Sequence, residues 1–275
     1  MYNEESDSYF ANLNGYEKKS VTIPEYSNDG VHGKKKISTV INVDDITEKI
    51  NIPYAEKIRL TDVENRASLK EISIGSTAKK ISIQGYLHIE KLDVSSNNKT
   101  YKTENNVLYT SDLSELVYCP SALNSTTFDI PTTVKRISDL AFCFNSTIKE
   151  INCNDGLESI GATAMSRMSN LEKVRINSSL ANIGEWAFSY DTKLTNVSID
   201  CNISQINKFL FFGCSSMNSV TFNNKVKSIE KYAFGNPDSL YYLKEINFKG
   251  TQEEWNNINF ENPLFTDEIK INFNA

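Results

Sequence analysis

The side chains best suited to bond-making chemistry in this chain of 275 residues are two histidines, His32 and His88, and five cysteines, Cys119, Cys143, Cys153, Cys201 and Cys214. The histidines lie far apart and neither sits in a carboxylate-rich motif, so they offer little to a zinc ion or to acid–base catalysis. The cysteines are odd in number and include no Cys-x-x-Cys pair, which argues against a disulfide framework and against a zinc site. No Gly-x-Ser-x-Gly, P-loop or His-Glu-x-x-His motif occurs. The sequence therefore predicts no enzyme, no catalytic residues, no metal and no cofactor. Four of the cysteines, Cys143, Cys153, Cys201 and Cys214, fall inside a repeating pattern where a thiol serves as a small buried hydrophobe.

Charge and hydropathy narrow the partners. With 29 basic against 35 acidic residues the net charge is −6, and the only dense basic run is Lys34-Lys35-Lys36. Phosphate binding needs clustered Lys and Arg, so no nucleic acid is expected. No stretch reaches the roughly 18–20 apolar residues of a membrane-spanning helix. The opening Met1-Tyr2-Asn3-Glu4-Glu5-Ser6-Asp7 is polar and acidic rather than signal-like. Hydrophobic residues make up 39% of the chain, enough to bury a substantial core.

That core must come from a repeat. Ile137, Ile160, Ile183, Ile206 and Ile229 follow one another at intervals of 23 residues. Four and five positions after each stands a small or apolar pair: Ala141-Phe142, Ala164-Met165, Ala187-Phe188, Leu210-Phe211 and Ala233-Phe234. Further on come Ile148, Leu171, Leu194 and Met217, then Ile151, Val174, Val197 and Val220, then Cys153, Ile176, Ile199 and Phe222. The latter half alternates with period two and reads as a strand; Ile followed at i+4 and i+5 by Ala-Phe fits one or two helical turns. One such unit cannot bury its apolar face alone, so the units must stack. The eighth position after each Ile carries Asn145, Met168, Asp191, Cys214 or Pro237, mostly small or polar groups placed to bond loop backbone.

The fold predicted is an α/β, right-handed solenoid with short strands, short helical turns and a β-hairpin insertion. Shorter coils precede the regular ones, at Ile58-x-Leu60, Leu69-x-x-Ile72-x-Ile74, Ile81-x-Ile83 and Ile89-x-x-Leu92-x-Val94, and these are expected to lack the helical turn. The hairpin is placed at Asn106–Thr110 and Glu115–Cys119, about the turn Ser111-Asp112-Leu113-Ser114, and is expected to project from the stack. Thr251-Gln252-Glu253-Glu254 has the spacing of a helix capping box leading to Trp255, and Ile269-x-Ile271-x-Phe273 reads as a closing strand. Residues 1–45 are assigned as an N-terminal cap or irregular segment, and 46–275 as the solenoid with its C-terminal cap.

The surface expected to bind a partner is the row of outward strand residues Asn152, Arg175, Ser198, Thr221 and Asn247, polar and mixed in sign. The last strand arrives three residues late, and the insertion carries Tyr241 and Tyr242, a second candidate contact.

The run Ile183-Gly184-Glu185-Trp186-Ala187-Phe188, followed by Leu194-Thr195-Asn196-Val197-Ser198-Ile199, resembles the BspA-like leucine-rich repeat. Ile130-Pro131-Thr132-Thr133-Val134 is similar to that family's entry to a coil, and Phe248-Lys249-Gly250-Thr251 with Trp255 to its closing segment. The resemblance runs from about Leu69 to the C-terminus. It implies a secreted or cell-surface leucine-rich-repeat protein; apart from the resemblance, the polar N-terminus is read as one from which a signal peptide has been removed, with Met1 as a replacement start. It further implies binding of a protein or glycan, such as a host extracellular-matrix or surface protein; a spacer module within a larger surface protein is the alternative. Met165 and Leu210 depart from the Ala-Phe pair, and cysteine is scarce at the eighth position, so no ligand preference carries over.

Overall fold

The computed structural model describes residues 2–3, 8–12, 18–28, 30–41, 46–62, 68–85, 87–176, 179–235, 242–261 and 269–274. The chain forms two compact units, Met1–Leu123 and Asn124–Ala275. Both are coils of chain stacked through parallel strands, the architecture of a β-solenoid.

In the first unit the chain alternates between two parallel sheets. One contains Ser20–Thr22, Lys49–Ile52, Glu71–Ile74 and Lys91–Val94; the other Ser8–Asn12, Lys35–Ile41, Lys57–Asp62 and Lys80–Gly85. The registers set Ile50 beside Ile72 and Ile72 beside Leu92 in one sheet, and Val40 beside Ile58 and Ile58 beside Ile81 in the other. All of these are buried in one cluster, so period-two alternation has placed each apolar side chain between the sheets. Within the segment 1–45, read from sequence as a cap or irregular, Ser20–Thr22 and Lys35–Ile41 are strands of these same sheets, and Val21, Ile23, Ile37 and Val40 are buried in their core.

Three antiparallel strands, Tyr101–Glu104, Val107–Thr110 and Glu115–Tyr118, follow the parallel coils. Asn105 and Asn106 take positive φ in the two-residue loop between the first two, a position asparagine tolerates well. The pair expected to project is packed down instead: Val107, Leu108, Tyr109, Leu116 and Tyr118 are all buried.

In the second unit each coil contributes two strands. The longer ones form two sheets: Thr127–Asp129, Glu150–Asn152 and Lys173–Arg175, then Asn196–Ile199, Ser219–Asn223, Glu245–Lys249 and Lys270–Phe273. The shorter ones carry the repeating isoleucine, setting Ile137 beside Ile160, Ile160 beside Ile183, and Ile206 beside Ile229. Phe188, Phe211 and Phe234 stack near-parallel through the core, with centroids 5.5 Å and 6.1 Å apart.

The segment between the two strands is not helical, which corrects the sequence reading. The residues third and seventh after each of the first four Ile have positive φ: Leu140 and Phe144, Thr163 and Arg167, Trp186 and Tyr190, Phe209 and Gly213. Hydrogen bonds from Ala141 N to Ser138 O and from Asn145 N to Phe142 O close turns with a positive-φ residue in their third place, as in type II turns. Between those turns, alternate N–H groups donate to the next coil: Leu140 to Ala162, Phe142 to Ala164 and Phe144 to Ser166. The spacing of Ile and Ala-Phe satisfies a helix and this double turn alike. Stacking decides between them, because bonds to a neighbouring coil join the units and i→i−4 bonds do not.

The helix described is Gln252–Asn256, with the expected capping box: Thr251 Oγ1 accepts from Glu254 N, and Thr251 N donates to Glu254 Oε2 at 2.8 Å. It buries Trp255 against Phe222, Phe248, Phe260 and Phe273. The closing strand Lys270–Phe273 pairs with Glu245–Lys249. No helix among the described residues is long and apolar enough to cross a membrane.

Candidate ligand-binding surfaces

The parallel register lines up the outward residues of the strands. Asn152 lies between Asp129 and Arg175 in one sheet, and Ser198, Thr221 and Asn247 follow one another in the other, continued by Asn272. Much of this row bonds to itself. Asn152 Nδ2 donates to Asp129 Oδ1 at 2.7 Å, Arg175 Nε meets Glu150 Oε1 at 2.7 Å, and Asn272 Nδ2 donates to Asn247 Oδ1 at 2.8 Å. Such exposed pairs align side chains without adding much stability.

Where one sheet ends at Lys173–Arg175 and the next begins at Asn196–Ile199, a groove of about 290 Å3 opens. Lys173, Arg175, Asn196, Ser198, Ser219 and Thr221 edge it, and it reaches the backs of Val174 and Val197. Of the residues singled out from sequence, Arg175, Ser198 and Thr221 therefore share one depression, while Asn152 and Asn247 are not among its lining residues. Tyr242 is 47% exposed and does not line the groove. Tyr241 lies outside the described residues.

The turn face carries features that sequence reasoning did not single out. Because the third and, in the first four coils, the seventh residues after the repeating Ile have positive φ and the fourth and fifth are buried, the former are left at the surface as columns. Trp186 stacks on Phe209 at 3.9 Å between centroids and 13° between planes, and Phe209 continues to Tyr232 at 5.5 Å. Phe212 sits edge-on to Trp186 and to Tyr190, at 5.5 Å from each. All five rings are partly exposed. The signal was present in the 23-residue spacing of Trp186, Phe209 and Tyr232, but a helical reading gave that position no defined face.

The cysteines of both units are set apart by burial. Burial pushes the Cys143 and Cys153 thiols up to about 12, and raises Cys119 and Cys214 well above the usual range. Asp191 is fully buried and its carboxyl is held well above the ordinary carboxylate range by desolvation. At the eighth position of the coils, the polar side chains do bond backbone: Asn145 Oδ1 accepts from Thr147 N and Ile148 N, and Asp191 Oδ1 from Met168 N. Cys214 Sγ approaches Phe188 O at 2.9 Å. In the first unit, His88 Nδ1 lies 3.2 Å from Ser121 Oγ. Among the described residues no group of three or more His, Cys, Asp or Glu could hold a metal ion.

Parallel strands, a 23-residue period and buried Ile and Phe columns define a leucine-rich-repeat protein. Residues 117–241 match the BspA type leucine rich repeat region in six copies. Three solved structures share the fold. A leucine-rich repeat protein from Eubacterium ventriosum superposes with a TM-score of 0.66 at 21% identity, over 86% of this chain and 69% of that one. A leucine rich cell surface protein from Faecalibacterium prausnitzii gives 0.57 at 16% identity, over 94% and 95%. The pneumococcal vaccine antigen PcpA gives 0.51 at 15% identity, over 97% and 92%. No curated protein matches the sequence.

Proposed function

We propose that this chain is a secreted or cell-surface repeat protein that binds a protein partner, such as a host surface or matrix protein, through the strand face of residues 124–275. The observation that carries this reading is the groove between Arg175, Ser198 and Thr221. There the cross-coil pairing of the row is interrupted and cationic and hydroxyl groups border apolar floor residues, a mixture suited to protein recognition. The surface location is supported by the structural likeness to a leucine rich cell surface protein. No catalysis belongs to this reading.

The self-paired ladders at Asn152 and Asn247 favour a second reading, a spacer whose face is already satisfied. Capture of matrix and epithelial surface proteins on the immobilised chain separates the two. A partner retained by the native chain and lost by a folded Arg175→Glu/Thr221→Arg variant supports binding at the groove. Retention of no partner by either supports the spacer.

A further inference from the structure

The column of third-position residues on the turn face reads Leu140, Thr163, Trp186, Phe209 and Tyr232. Where the later coils place rings, the second places the small Thr163. Phe209 covers one face of Trp186 at 3.9 Å. Trp186 also lines, with Thr163 of the preceding coil, an open cavity of about 350 Å3. The ring stack ends at Trp186, and an open slot of about one ring's thickness adjoins it over Thr163.

The other walls specify what the slot accepts. Thr163 brings a part-exposed hydroxyl to it, the buried Ser166 and Ser189 form its base with their hydroxyls donating to Ser189 O and Trp186 O, and Tyr190 supplies a second aromatic wall. Arg167 closes the rim. Its guanidinium lies 4.3 Å from the Tyr190 centroid and 5.6 Å from that of Phe144, and it forms no ion pair among the described residues. Stacking of this kind engages the flat face of the guanidinium and leaves the N–H edge to bind an acceptor, in the fork geometry that fits a carboxylate. Asp191, an acid of the next coil, offers no competition, because it is buried and bonded to Met168 N. The walls are also held in place: Phe212 is wedged edge-on between Trp186 and Tyr190, and Ser166 Oγ is 2.7 Å from Ser189 Oγ. Little ordering cost would attend binding.

We propose that this slot is a binding site for a carboxylated pyranose, the acidic sugar of a glycan or oligosaccharide. The apolar C–H face of the sugar would lie on the open face of Trp186, its hydroxyls toward Thr163, and its carboxylate on Arg167. A pyranose matches the three features together, being flat enough to extend the ring stack by one, hydroxylated and, when carboxylated, anionic. A proline-rich peptide would exploit the aromatic walls but leave the lone guanidinium and the Thr163 hydroxyl unused. This site is separate from the strand-face groove, with which it shares no lining residue.

Calorimetric titration of the intact chain with sialyllactose, with free glucuronic acid and with lactose as the neutral control tests the assignment. Binding of at least one acidic sugar, at least tenfold tighter than lactose, is expected. Sialyllactose alone would indicate a glycan terminus, and glucuronic acid as well would indicate a free uronate source. Arg167→Gln, at an exposed position, is expected to abolish the acid preference, and Thr163→Trp to fill the slot and remove binding. Arg175→Glu/Thr221→Arg is expected to leave sugar binding unchanged, so failure of the strand-face reading would not touch this one. Absence of binding by both acids, equal affinity for lactose, tighter binding of a proline-rich peptide, or an Arg167→Gln variant that keeps the preference would each overturn the proposal. Should Thr163→Trp fail to fold, Arg167→Gln decides alone.

Discussion

Asp191 occupies the eighth position of its coil, where Asn145 stands two coils earlier, and both accept a backbone N–H through Oδ1. The two differ in what burial does to them. Asp191 Oδ2 is buried with no hydrogen-bond partner among the described residues, and desolvation raises the carboxyl well above the ordinary range, which favours its protonated form in the fold. In the unfolded chain the same group ionises near pH 3.9. A raised folded value gives a contribution that is full below the unfolded value and is lost as pH rises from there toward the folded value. Glu71, Asp200 and Glu254 act in the opposite sense: the bond to Lys49, the bond to Lys249 and the Thr251 N–H respectively lower their values, so their contribution is lost on acidification. Asp191→Asn keeps the acceptor and removes the ionisation. The native chain should therefore lose stability relative to Asp191→Asn as pH rises above about 4, by up to about 1.4 kcal/mol per pH unit. Denaturant midpoints of the two proteins at pH 4, 6 and 8 measure this; parallel curves would mean that Asp191 ionises in the fold. Asp191 was legible in sequence as a backbone-bonding group, but its protonation was not, since it depends on how completely neighbouring coils exclude water.

The strands were readable because side-chain alternation is local: Val174 and Val197 are buried and their outward neighbours Arg175 and Ser198 exposed, as period two requires. The turn segment misled because its information is not local. Ile160, Ala164 and Met165 are buried in either a helix or a double turn, and only bonds such as Met165 N to Ala187 O, made to another coil, separate the two. The same blindness hid the aromatic slot, whose existence depends on which faces the turns expose. One sequence feature does acquire a reason from these elements. Gly161 and Gly184 each follow the repeating Ile where coils approach so closely that a Cβ has no room. At Gly161 it would lie 2.4 Å from Asp139 Oδ1 and 2.5 Å from Asp139 N, and at Gly184 it would lie 2.4 Å from Ala162 N. Backbone cannot yield as a flexible side-chain tip can, so the coils must separate. Gly161→Ala is expected to cost about 1–3 kcal/mol, the usual range for overpacking. Chemical denaturation would register it as a lowered midpoint, and an unchanged midpoint would show that these coils are not in close backbone contact.

Across the unit of residues 124–275, the core is built from contacts between successive coils: Phe188 on Phe211, Phe211 on Phe234, Ile160 between Ile137 and Ile183. Stability in such a stack is expected to behave as a sum of coil terms and nearest-neighbour interface terms. A double-mutant cycle reads that rule directly, because coupling appears only between side chains that share a contact. Phe188→Leu and Phe211→Leu remove ring atoms from a stacked pair 5.5 Å apart, and each single change leaves the partner ring with a poorer surface. Their combined cost should differ from the sum of the single costs by about 0.5–3 kcal/mol. Phe142 and Phe234 occupy the same column position four coils apart, roughly 19 Å at the spacing of paired strands, and share no partner ring among the contacts described. Phe142→Leu and Phe234→Leu should add to within about 0.5 kcal/mol. Urea unfolding of the four single and two double variants gives both couplings in one experiment. A distant coupling as large as the near one would mean that the coils respond as a single packed core rather than as neighbours in a row, and the effect of ligands at the groove or the slot would then have to be sought throughout the unit.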